Sequence, residues 1–170
     1  CLHSDGLWIL EQHYLPTMLS LNAFDVICHE HLEYYALGPI EKLLSKHSLR
    51  VVDVELNDIN GGSLCLYIRH ADSLPPTTEA LKRIEDLRQS ELKLALNTEA
   101  PYKSFRERVE KIRDGLYALI KSEHEAGRTI YVYGASTKGN TILQYCGLNS
   151  NYIVAAAERN PRKWGMMTPG

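Results

Sequence analysis

The sequence has no surplus of basic residues: 19 Lys and Arg stand against 21 Asp and Glu, for a formal net charge of −2. A duplex-binding surface carries such a surplus, so nucleic acid is not an expected partner and any phosphate binding should be local. The four cysteines, Cys1, Cys28, Cys65 and Cys146, include no CxxC pair. That spacing indicates neither a zinc knuckle nor a disulfide framework and fits a reducing cytoplasm. No apolar run approaches the roughly 18 residues of a membrane span, and no basic, apolar, small-residue leader opens the chain, so no membrane partner is expected. Internal repeats and low-complexity segments are missing too. What remains, 44% hydrophobic and 24% charged residues in 170, is the composition of one or two modest globular cores. The chain opens on Cys rather than Met and stops on "TPG", which reads as a segment cut from something longer.

The pattern of residues predicts an α/β chain. "GLWILEQ" (6–12) reads as a strand that ends near Pro16, and "GPIEKLLSKHSL" reads as a helix with Pro39 in its first turn. "RVVDVEL" and "GSLCLYIRH" alternate like paired antiparallel strands, with Asn60-Gly61 as the turn signal between them. "SLPPTT" then breaks the chain. Leu81, Ile84, Leu87, Leu92 and Leu96 are spaced like the buried stripe of a helix, and a second long helix is expected over 102–125, ended by Gly127. From 128 onward, a buried strand, a Gly-containing turn, a short helix and a second buried strand make a βαβ unit.

Two clusters invite chemistry. In "FDVICHEHLEYY" the carboxylate of Glu30 lies between the imidazoles of His29 and His31, with Tyr34 and Tyr35 close behind. An i, i+2 histidine pair suits an extended segment and would need a third ligand from elsewhere to hold a metal. A structural role, with imidazoles bonded to backbone, and general acid–base chemistry are the other readings. In "YGASTKGNT", Gly134 and Gly139 have P-loop spacing, but Asn140 stands where that motif needs Lys, and Ser136 removes GxGxxG. Backbone N–H groups at a helix start, the hydroxyls of Ser136, Thr137 and Thr141, and the cation of Lys138 nevertheless suit a phosphate or pyrophosphate. Glu158 ends the next strand, where an acidic residue commonly holds a ribose hydroxyl. A tight turn with solvated polar residues is the bland alternative.

In their order, "FDVICHEHLEYY", "GGSL", "VYGASTKGNTILQYCG" and "AERNPRKWGMMTPG" resemble the sugar C-methyltransferases that act on nucleotide-linked 3-keto-deoxysugars with S-adenosylmethionine. The resemblance covers nearly the whole chain. It implies that residues 1–72 are the closing strands of a class I methyltransferase sheet. Residues 73–170 would be the C-terminal domain, helical over 73–127 and a truncated Rossmann-like βαβ over 128–170. It also implies that S-adenosylmethionine binds mainly to an upstream region this chain lacks, so that these 170 residues alone would not turn over. By the same resemblance His31 is the general base and Glu30 assists or orients it, with His29 beside them. Gly134, Ala135, Ser136, Thr137, Lys138, Gly139, Asn140 and Thr141, with Glu158 and Arg159 of "ERNP", would hold the nucleotide-sugar, and Tyr34 or Tyr35 would reach the substrate. Cys28 stands where the family typically has tyrosine. A nicotinamide-dependent oxidoreductase and a non-catalytic nucleotide-sugar-binding or dinucleotide-binding module are the alternatives.

Overall fold

The computed structural model describes residues 2–168, so Cys1 lies outside it. The chain divides into two compact units, one comprising residues up to 23 and 33–104, the other residues 24–32 and 105–170.

In the first unit, β1 (Trp8–His13), β2 (Leu49–Asn57) and β3 (Ser63–His70) form an antiparallel sheet in the order β1-β3-β2. Period-two alternation puts Leu64, Leu66 and Ile68 of β3 on one face, where all three are buried. Their partners on β2 are Leu56, Val54 and Val51. In a regular strand Val51 and Val54, three apart, would face opposite ways. A register shift between Val51 and Asp53 absorbs the extra residue as a bulge, and both valines reach the core. Asn60-Gly61 turns the hairpin as expected, with φ of 54° and 87°. The next residue, Gly62, has a φ of 122°, and a Cβ there would stand 2.2 Å from the Thr17 side chain. Only glycine suits that position.

The helices α1 (Leu15–Leu21), α2 (Leu37–Ser45) and α3 (Thr78–Lys93) complete this unit. Pro16 ends the strand by opening α1, where a first-turn proline has no hydrogen bond to lose. The buried stripe of α3 differs from the expected one. It runs Ala80, Ile84, Leu87 and Glu91, while Leu81 and Leu92 are exposed and Leu96 is half-buried. The helix starts at a Thr77 cap whose hydroxyl accepts from the Ala80 N–H at 3.2 Å. One member of that face is a carboxylate. Glu91 accepts from the Tyr14 hydroxyl at 2.9 Å and from the backbone N–H groups of Leu37 and Gly38 at 2.6 and 3.1 Å. It is therefore the cap of α2, whose own N-cap residue, Ala36, has no side chain able to accept. Bidentate pairs of Arg83 with Asp53 and of Arg88 with Glu41 tie α3 to β2 and to α2.

The helix α4 (Ala100–Glu125) is the long second helix, and it gives way to Gly127 at φ 75°. In the second unit β4 (Tyr131–Tyr133) and β5 (Ala155–Ala157) pair in parallel, joined through α5 (Thr137–Tyr145). This is the expected βαβ unit, but its strands are not buried: Tyr131, Tyr133 and the three alanines of β5 are exposed. A two-stranded sheet crossed by a single helix has both edges open and one face uncovered. Among the described residues, the buried apolar ones of this unit are Val26, Val109, Cys146 and Leu148. Tyr117 of α4 meets Tyr152 edge to ring, and their hydroxyls share a 2.8 Å hydrogen bond.

Candidate functional site

The His29-Glu30-His31 stretch and the glycine turn both lie in the second unit. A 3-10 turn over Phe24–Val26 packs against α5, with the Phe24 and Tyr145 rings 5.3 Å apart. The chain then folds into a tight turn in which the His31 N–H donates to the Cys28 carbonyl at 3.1 Å. That turn brings residues 28 and 31 to one side. The Cys28 sulfur, a Glu30 carboxylate oxygen and a His31 ring nitrogen all lie within 4.8 Å of one another. Cys28 and His31 are half-buried and Glu30 is exposed. His29 points into solvent, 84% exposed, and its Nε2 stands 3.9 Å from Glu30. A pair so exposed and so distant contributes little energy. Tyr34 and Tyr35 belong to the first unit, where the Tyr35 hydroxyl donates to Glu33 and Tyr35 bridges Tyr14. The hydrogen bond to Glu33 raises the Tyr35 pKa.

The turn between β4 and α5 has a defined internal order. Gly134 holds φ at 94°, a conformation glycine adopts without cost, and its N–H donates to Ala157 at 2.7 Å. Ser136 caps α5, its hydroxyl accepting from the Gly139 N–H at 3.1 Å. The Thr141 hydroxyl donates to the Thr137 carbonyl. Glu158 braces the turn from the end of β5, accepting from the N–H groups of Asn160 and Ala135 at 2.9 and 2.8 Å. Those two bonds, with Lys163 nearby, hold its carboxyl below the usual range, so it is charged at neutral pH. Lys163 donates to the Ala135 carbonyl and stands 3.9 Å from Glu158.

Beside this turn opens a cleft of about 670 Å³. From the predicted residues it is lined by Ala135, Thr137, Asn140 and Glu158. Gly134, Ser136, Lys138, Gly139, Thr141 and Arg159 do not line it. They shape the turn or, as with Arg159, face solvent. The Asn140 Oδ1 is buried with no hydrogen-bond partner. Sequence reasoning missed Lys163 and Met166, which also line the cleft. Their signal lay in "NPRKWGMM", where Pro161 opens a 3-10 turn that brings Lys163 back over Ala135. It also missed Cys28 as a neighbour of Glu30 and His31, because one tight backbone turn carries that information.

With this geometry in place, comparison with known proteins identifies the class. The family described as "C-methyltransferase C-terminal domain" matches residues 58–170, and the chain belongs to it. The match begins at the turn of the β2–β3 hairpin. Over 169 residues, 99% of the chain, it is 34% identical to C-methyltransferase NovU of Streptomyces niveus. The chain spans 40% of the length of that relative.

Proposed function

We propose that this chain works within an S-adenosylmethionine-dependent C-methyltransferase acting on a nucleotide-linked keto-deoxysugar. The observation that carries the reading is family membership joined to the cleft at the β4–α5 turn. Polar groups of Thr137, Asn140, Glu158 and Lys163 converge there on a pocket of ligand size. In this reading the seam between the methyltransferase-like strands, residues 1–72, and the C-terminal domain, 73–170, follows the switch from strand to helical period after β3. No helix among the described residues is long and apolar enough to cross a membrane.

His31 is assigned the proton transfer. A hydrogen on the carbon beside a ketone is acidic enough for an enzyme base to remove when the resulting enolate is stabilised. An imidazole is suited to that task near neutral pH, and Glu30 stabilises the imidazolium that forms. The methyl donor supplies an electrophilic methyl group for the enolate carbon to attack. The sequence offers no GxGxxG loop for that donor, so the residues of this chain are assigned to the sugar alone. The turn over 134–141 receives the phosphates through backbone N–H groups other than those of Ala135 and Gly139, which Glu158 and Ser136 already occupy, and Glu158 takes a ribose hydroxyl.

The test is exchange of the substrate α-proton with deuterated water in the full-length enzyme without methyl donor. His31→Asn should slow exchange by about a hundredfold to ten-thousandfold, the range of general acid–base contributions, with KM little changed. Exchange at the wild-type rate in that variant would show that another residue is the base.

A further inference from the structure

The turn that gathers Cys28, Glu30 and His31 places a soft thiol, an imidazole and a carboxylate within 4.8 Å of one another. This donor set is the one zinc-class cations select, and three protein ligands with a fourth position left to water is an established coordination pattern. In a tetrahedral site with Zn–S of about 2.3 Å and Zn–N of about 2.0 Å, ligand atoms stand roughly 3.3–3.6 Å apart. The side chains therefore need to close by up to about 1.5 Å, and exposed Glu30 has the freedom to do so. The backbone is already set: the His31 to Cys28 hydrogen bond fixes the turn that puts both side chains on one side. We infer that Cys28, Glu30 and His31 form a binding site for one thiophilic divalent cation of the zinc class, and that occupancy inhibits the enzyme. Binding forms an S–M bond at Cys28 and releases the thiol proton to solvent. The His31 lone pair that coordinates a cation is no longer available to accept a substrate proton. This second half rests on His31 being the base.

Two measurements test it separately. Titration of the 170-residue chain with Co²⁺ should give a thiolate-to-metal charge-transfer band that saturates at one equivalent and is displaced by Zn²⁺. Cys28→Ser and His31→Asn should abolish the band, whereas Cys65→Ala and Cys146→Ala should retain it, because those two thiols are buried elsewhere. A missing band, or one that survives Cys28→Ser, overturns the site. In the full-length enzyme Zn²⁺ should slow α-proton exchange by about a hundredfold, within the range assigned to a lost general base. A chelator should reverse the loss, and Cys28→Ser should remove the sensitivity to zinc. Cation bound at this site with exchange undiminished overturns the inhibition, and with it the assignment of His31, while leaving the site in place.

Discussion

Glu91 satisfies three donors at once, the Tyr14 hydroxyl and two helix-opening N–H groups, in a place that is 8% exposed. Glu91→Ala strands those donors away from water and should cost about 3 kcal/mol, the loss of hydrogen bonds to a charged group together with desolvation. Urea unfolding measures it. Tyr14 carries the counterpart in pH. Burial, then the charge and hydrogen bond of Glu91, push its phenol above the ordinary value of 10.0. Above about pH 10 the unfolded chain loses this proton while the folded chain keeps it, so stability is full below that pH and falls above it. Tyr14→Phe should flatten the decline of Tm between neutral and strongly alkaline pH. An unchanged decline would place the sensitivity elsewhere. Neither residue is legible as a partner of the other in the sequence, because they lie 77 positions apart and a glutamate on a helix ordinarily reads as its solvated face.

At the scale of elements, legibility followed period and turn chemistry. The β2–β3 hairpin was legible from alternation and Asn60-Gly61, and the βαβ unit from two short apolar runs flanking a glycine turn. The buried face of α3 was legible at Ile84 and Leu87 but not at its ends, where Ala80 and Glu91 are letters that a search for large apolar side chains passes over. The cleft was half legible: Thr137, Asn140 and Glu158 came from the motif, but Lys163 arrives through a later turn. That turn gives a prediction for α5. A Cβ at Gly139 meets only the Ser136 hydroxyl, at 3.4 Å, so the helix accepts a small side chain there. Gly139→Val should obstruct a phosphate approaching the helix start and leave the circular dichroism spectrum unchanged, with Gly139→Ala as the milder control. Lys163→Ala removes the cation that braces Ala135 and should weaken binding of a nucleoside diphosphate sugar by about tenfold to a hundredfold, the range of a hydrogen bond to a charged group. Calorimetry distinguishes these outcomes, and unchanged affinity in both variants would assign the turn to structure alone.

For the whole molecule, the two compact units should respond to ligand differently. A nucleoside diphosphate sugar at about 100 times its Kd stabilises the state it binds by about 2.7 kcal/mol. Hydrogen exchange should show that protection in residues 132–168 and leave the β1-β3-β2 sheet as it was. Protection confined to the sheet would overturn the cleft as the sugar site. The first unit, by contrast, is ordered by its own carboxylate cap, and that cap has a consequence for how the protein is made. A ribosome releases the amino end first, so the residues of α2 emerge while residue 91, 54 positions behind Leu37, is still unmade. At a synthesis rate of about 5–20 residues per second this interval lasts roughly 3–11 s. Throughout it the opening N–H groups of α2 lack their acceptor, and the nascent segment is at its most vulnerable to proteases and to wrong partners. Slowing synthesis while α2 is outside the ribosome and residue 91 is not yet out should therefore lower the yield of folded protein, whereas slowing it after residue 91 has emerged should not.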